Sequence, residues 1–127
     1  MPTVAPSTRV YAIGDIHGRA DLLDALQTMI LDDARQASAE RRLVVYLGDY
    51  VDRGPDSRHV LDRLIGRPLE SFESIFLKGN HEEFMLRFLG DVSVGEPWLH
   101  NGGAATLESY GIKDVTILFT DLKSSTQ

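Results

Sequence analysis

Three short β-prone runs, each closed by a glycine and followed by a stretch of helical periodicity, constrain the fold of this chain more than any other feature. Residues 9–13 form the first run, ended by Gly14, and Leu22, Leu23, Leu26, Met29 and Ile30 then recur at the spacing of one helix face. Residues 43–47 are continuously apolar up to Gly48, as expected of a strand covered on both faces. Pro55 and Asp56 open a second helix carrying Val60, Leu61, Leu64 and Ile65, with Gly66 and Pro68 as stop signals. Residues 74–78 make a third strand ended by Gly79, and Phe84, Met85, Phe88 and Leu89 give a third amphipathic helix. Strands alternating with helices predict an α/β domain, βαβαβ, whose parallel sheet is flanked by helices and joined by right-handed crossovers. Residues 91–110 read as loop and helix material, and residues 115–120 as a fourth strand.

In such a sheet, ligands bind where the strands' C-terminal ends meet the loops that follow. All three junctions hold ligand-type residues beside glycine: Asp15 and His17 in the first, Asp49, Asp52 and Arg53 in the second, Asn80 and His81 in the third. Taken singly, an Asp at such a junction is more often a helix cap than a ligand. Three in succession, each after an apolar strand, point instead to a shared site. The alternation Asp15-x-His17 predicts both side chains on one side of an extended turn. The chain has no cysteine, which leaves any metal to imidazole, carboxylate and amide donors, a mixed set suited to Mn²⁺, Fe or Zn²⁺.

These junction motifs resemble the signatures of the calcineurin-like metallophosphoesterases, in particular the phosphoprotein phosphatase group and its small bacterial serine/threonine phosphatase-type members. The resemblance covers residues 9–111 and includes the stretches 98–103 and 106–111. It implies the βαβαβ half of a metallophosphoesterase sandwich, with two divalent metal ions, Mn²⁺ foremost, and Fe or Zn²⁺ as alternatives. Carried over residue by residue, it implies that Asp15 and His17 bind the first metal, that Asp49 bridges, and that Asn80 binds the second. It gives Arg53 to the substrate phosphate and makes His81 the general acid oriented by Asp52, with Asn80 and His81 beside Arg53 at the substrate. Each role suits the residue: a guanidinium fork matches two phosphoryl oxygens, and a histidine beside a carboxylate can hold a proton for a departing alkoxide.

The activity so implied is hydrolysis of phosphate monoesters, phosphoserine or phosphothreonine foremost, in a phosphorylated protein or a small phosphoester. Two readings stand against it: a dinucleoside polyphosphate hydrolase of the same superfamily, and an inactive metal-binding fragment. The family completes its second metal with two further histidines on a second sheet. His59 and His100 are the remaining histidines, and neither stands in that motif. The expectation is therefore a truncated N-terminal half, residues 1–111, with an apolar sheet face left open and with its own activity in question. The tail, residues 112–127, is read as separate, because residues 115–126 resemble the first strand of class III nucleotidyl cyclase domains, with Asp121 as the metal-binding Asp. The alternative there is an ordinary amphipathic strand.

Among the other candidates, His59 is read as a solvated helix residue, and Trp98 with His100 and Asn101 as a cleft-lining lid or a packing anchor. Glu82 and Glu83 are assigned to the helix dipole, with no catalytic role. A net charge of −6 argues against non-specific binding to nucleic acid or an anionic membrane. Without a signal-peptide core or a run of membrane-spanning length, a cytoplasmic protein is the expectation. Oligomeric state is not legible.

Overall fold

The computed structural model describes residues 6–112. Three strands, β1 (Thr8–Ile13), β2 (Arg41–Tyr46) and β3 (Glu73–Phe76), form a parallel sheet in the order β1-β2-β3. Helices α1 (Ala20–Arg35) and α2 (Ser57–Gly66) make the crossovers, and α3 (Asn80–Gly90) follows β3. A 3₁₀ turn (Val92–Val94) leads into the short helices α4 (Glu96–Trp98) and α5 (Ala104–Ser109), which are joined through a kinked turn at Leu99–Gly103. The expected βαβαβ order and parallel sheet are present. The expected fourth strand and Asp121 lie outside the described residues.

Register decides which side of the sheet is covered. Tyr11 pairs with Val44 and Ile13 with Tyr46, so these four side chains share one face. They join Ile16, Leu23, Ile30, Val51, Val60 and Leu64 in a single core. Each such side chain removed from water contributes roughly 1.5–3 kcal/mol before the entropy of ordering is charged against it. The opposite face carries Val10 at 40% exposure and Ile75 at 42%, and Leu43 and Val45 are only half-buried. Strand β2 is thus covered on one face among the described residues, not on both, and the expected open apolar face is present.

The apolar stripe of α1 also differs from the expected one. Its buried residues are Ala20, Leu23, Gln27, Ile30 and Ala34, whereas Leu22 and Met29 are exposed. Gln27 belongs to the buried stripe because its amide donates to the Tyr46 hydroxyl at 3.0 Å, which satisfies a polar group that burial would otherwise penalise. Among the described residues, no helix is long and apolar enough to cross a membrane.

Candidate functional site

Every strand leaves the sheet through a polar turn, and hydrogen bonds lock the three turns together. The N–H groups of His17 and Gly18 donate to the carbonyls of Asp49 and Tyr50, both at 2.9 Å, and the N–H of Gly54 returns to the His17 carbonyl at 3.0 Å. This joins the first turn to the second. Glu82, at the start of α3, joins the second to the third: its carboxylate accepts from the N–H groups of Asp49 (2.6 Å), Tyr50 (2.9 Å) and Gly79 (2.9 Å). At Gly48, whose φ is +101°, a Cβ would lie 2.4 Å from the Gly79 nitrogen, so only glycine lets these two turns meet.

The turns are conformationally costly. Asp15 (φ 54°), His17 (42°), Asp49 (59°), Asp52 (81°) and Arg53 (75°) all lie in the left-handed region, which non-glycine residues occupy only when the surroundings enforce it. Five of the seven non-glycine residues with positive φ among the described residues are therefore sequence-predicted site residues. The expected extended turn at Asp15-x-His17 is corrected by these angles. Its two side chains meet nonetheless, by left-handed turns and not by strand alternation.

Asp15, His17 and Asp49 offer ligand atoms that all lie within 4.8 Å of one another, close enough to share one ion. The donor chemistry fits a divalent metal. His17 Nδ1 lies 2.9 Å from the Val51 carbonyl, which can only accept, so Nδ1 carries the hydrogen and Nε2 keeps its lone pair for a ligand. One Asp49 oxygen accepts the His81 N–H at 3.1 Å, leaving the other available. Asn80, the expected ligand of a second metal, is exposed at the first position of α3, directly after the Gly79 that abuts Asp49.

His81 is 5% exposed and Asp52 0%. His81 Nδ1 lies 2.6 Å from Asp52 Oδ2, so the carboxylate fixes Nδ1 as the donor and leaves Nε2 as the working nitrogen. The His81 ring stands edge-on to His17, with 4.7 Å between centroids, which puts the buried pair beside the three-donor group. Arg53 is exposed, and among the described residues its guanidinium has no carboxylate partner. A free cation at this rim suits an anion.

The other candidates separate. His59 and His100 are exposed and lie near Asp56 and Glu96, at 3.6 and 3.7 Å, with neither in the three-donor group. Glu83 makes surface ion pairs with Lys78 and Arg87, which hold its carboxyl below the usual range, Lys78 first. Trp98 is 2% exposed, an anchor and not a lid. Glu82 is the residue that sequence reasoning missed. Its place three residues past Gly79 is the only signal for its role, since a glutamate there often bonds the N–H of the helix-capping residue. Tyr50 sits inside the same clamp, and burial together with the Glu82 carboxylate pushes its phenol up to about 12.

The profile of the calcineurin-like phosphoesterases matches residues 8–125. The chain is 35% identical over 94 residues to serine/threonine-protein phosphatase 2 of Escherichia coli (strain K12), covering 74% of this chain and 38% of that protein. It is 34% identical over 104 residues to the symmetrical bis(5'-nucleosyl)-tetraphosphatase of Legionella pneumophila (strain Corby), covering 82% and 33%. It is 25% identical over 122 residues to the asymmetrical bis(5'-nucleosyl)-tetraphosphatase PrpE of Oceanobacillus iheyensis, covering 94% and 44%. The chain thus spans between a third and under half of the length of these relatives. None of these comparisons supports the cyclase resemblance of residues 115–126.

Proposed function

This chain belongs to the calcineurin-like phosphoesterase family, and we propose that it serves metal-dependent hydrolysis of phosphate monoesters, serine and threonine phosphates foremost. The observation that carries this is the convergence of Asp15, His17 and Asp49 within 4.8 Å, beside a buried His81–Asp52 pair whose imidazole lies 4.7 Å from that of His17. Asp15, His17 and Asp49 would hold the first divalent ion, Asp49 bridging toward a second that Asn80 helps to bind. Such ions, when bound, supply Lewis acidity and an activated water for in-line attack on phosphorus.

The rest of the reaction belongs to the chain's own groups. Arg53 grips two phosphoryl oxygens through its guanidinium fork and fixes the phosphate. His81 presents Nε2–H to the leaving oxygen and gives up that proton as the P–O bond breaks, while Asp52 holds Nδ1–H and so fixes the ring's orientation. A serine or threonine alkoxide is a strong base and needs that proton.

A second reading has an observation in its favour, because proteins named as bis(5'-nucleosyl)-tetraphosphatases match 82% and 94% of this chain, more than the phosphatase does. Supplying Mn²⁺ and assaying a phosphoserine peptide, nitrophenyl phosphate and diadenosine tetraphosphate separates the two. Phosphate release from the monoesters, lost in His17→Ala, is expected. Cleavage of the dinucleotide alone would move the assignment to the second reading, and release indifferent to metal and to His17 would end the hydrolase reading.

A further inference from the structure

Asp52 is fully buried, yet three side chains from three elements converge on its carboxylate. His81 from α3 lies 2.6 Å from Oδ2, the Trp98 indole N–H donates to the same Oδ2 at 2.7 Å, and the Thr106 hydroxyl donates to Oδ1 at 2.7 Å. The Asp52 N–H in turn donates to the Thr106 and Ser57 hydroxyls at 2.9 and 3.1 Å. A buried carboxylate left without such donors would carry a large desolvation cost.

Packing alone does not require this arrangement of Trp98. The indole already packs against Phe88 at a tilt, with 5.1 Å between ring centroids, and a Cβ at Gly103 would lie 2.4 Å from the ring. An indole merely filling that space could satisfy its N–H on a backbone carbonyl or on water. Here it is aimed at the one oxygen that His81 also uses. The same turn reaches Arg53, whose N–H donates to the Gly102 carbonyl at 3.1 Å. The segment from Trp98 to Thr106 therefore touches the backbone of Arg53, assigned to the phosphate, and the carboxylate of Asp52, the partner of His81, although it supplies none of the three metal-type donors.

We propose that Trp98 is a positioning residue for proton delivery: its indole N–H and the Thr106 hydroxyl hold the Asp52 carboxylate in a single orientation, so that His81 keeps Nε2 directed at the leaving oxygen. This rests on the hydrolase reading above and extends it to a residue outside the three junctions. Without the indole donor, Oδ2 is free to rotate out of line with Nδ1, and the imidazole loses its fixed tautomer and direction. Substrate binding does not use this contact. The deficit should therefore appear in kcat, and only where the leaving group needs a proton.

The test uses the whole chain with Mn²⁺ and two replacements of Trp98. One is Trp98→Phe; the other is benzothienylalanine, which keeps the bicyclic ring and has sulfur in place of the N–H, and so guards against simple misfolding. Both should lower kcat on a phosphoserine peptide by about tenfold or more, with KM and the rate on nitrophenyl phosphate changing less than about threefold. Equal losses on both substrates, or none with benzothienylalanine, would overturn the proposal. A second measurement is independent of turnover. Trp98 is the only tryptophan, so its indole N–H gives one proton–nitrogen resonance, which should resist exchange and move in Asp52→Asn. An unmoved resonance overturns the positioning role even in an active chain, whereas a wild-type chain that turns over neither substrate overturns the hydrolase reading.

Discussion

The Glu82 carboxylate accepts the backbone N–H of Asp49 at 2.6 Å, and this contact ties the start of α3 to the turn after β2. Asp49 has a φ of 59°, a conformation that its own sequence neighbourhood does not favour. The same carboxylate takes the N–H groups of Tyr50 and Gly79, so one buried anion satisfies donors that no strand or helix ladder serves. The strain in the turn is thus held by a residue outside the three-donor group, whose side chain grips the backbone of one of its members, Asp49.

Replacing Glu82 by Gln keeps the size and removes the charge. One amide oxygen can still accept, but the amide NH₂ then faces backbone N–H groups, leaving buried donors unpaired at a cost of about 2–3 kcal/mol. Urea unfolding should show a stability lower by that amount, and Mn²⁺ affinity measured by calorimetry should fall by about tenfold to a hundredfold as Asp49 loses its fixed orientation. Unchanged metal affinity would mean that the clamp supports the fold and not the site.

The strands and the three junctions were legible because their signals are local. Residues 9–13, 43–47 and 74–78 were expected, against the observed Thr8–Ile13, Arg41–Tyr46 and Glu73–Phe76. Strand β2 begins earlier because Arg41 and Arg42 pair with Thr8 and Arg9 of β1, a pairing that no single window of sequence contains. The α1 stripe was misjudged because leucines outnumber the smaller Ala20 and Ala34, and because Gln27 becomes buried only through Tyr46. The sequence points to Trp98 as a candidate packing anchor and to Glu82 as a helix-start residue, but not to what they bond: their partners Asp52 and Asp49 lie 46 and 33 residues away, and periodicity carries no information over that distance.

Among the described residues, a single group of three carboxylate and imidazole donors falls within coordination reach. Calorimetric titration of the chain with Mn²⁺ should therefore give one tight site, abolished in His17→Ala. Among the described residues, any second ion would rest on Asp49 and Asn80 with water in its remaining positions, so it should bind weakly. Turnover of nitrophenyl phosphate should stay below about 1 per second, the low end of ordinary enzyme rates. Two tight ions per chain would show that donors beyond those three complete the site.

Acid should loosen the packing of α1 on β1. Asp33 accepts from Tyr11 and from Arg9, the latter at 2.6 Å, and these contacts hold its carboxyl below the usual range, Tyr11 first. A carboxyl depressed in the folded state contributes stability that is present above its unfolded value of about 3.9 and is lost as pH falls through the folded one. Asp33→Asn should lower the urea midpoint slightly at pH 7 and flatten its decline below about pH 4. Both groups are about half exposed, so high salt should shrink the difference at pH 7. A parallel decline in the variant would assign the acid sensitivity to other carboxyls.

Arg53 and His81 should fail in different ways, because the proposed reaction has one hold charge and the other move a proton. Arg53 is exposed without a carboxylate partner among the described residues, so Arg53→Ala disturbs little of the fold and removes a contact that strengthens as charge builds on the phosphoryl oxygens. KM should rise and kcat should fall together, on every phosphate ester alike. His81 is 5% exposed and bonded to Asp52. His81→Asn keeps a polar group near Asp52 but cannot deliver a proton, so KM should hold while kcat falls by about 10²–10⁴ on alkyl phosphates. Nitrophenolate leaves without protonation, so nitrophenyl phosphate should lose far less. The ratio of alkyl to nitrophenyl rates is therefore the diagnostic, collapsing in His81→Asn and holding in Arg53→Ala. A constant ratio in both variants would leave His81 as a structural partner of Asp52 and place the source of the leaving-group proton elsewhere.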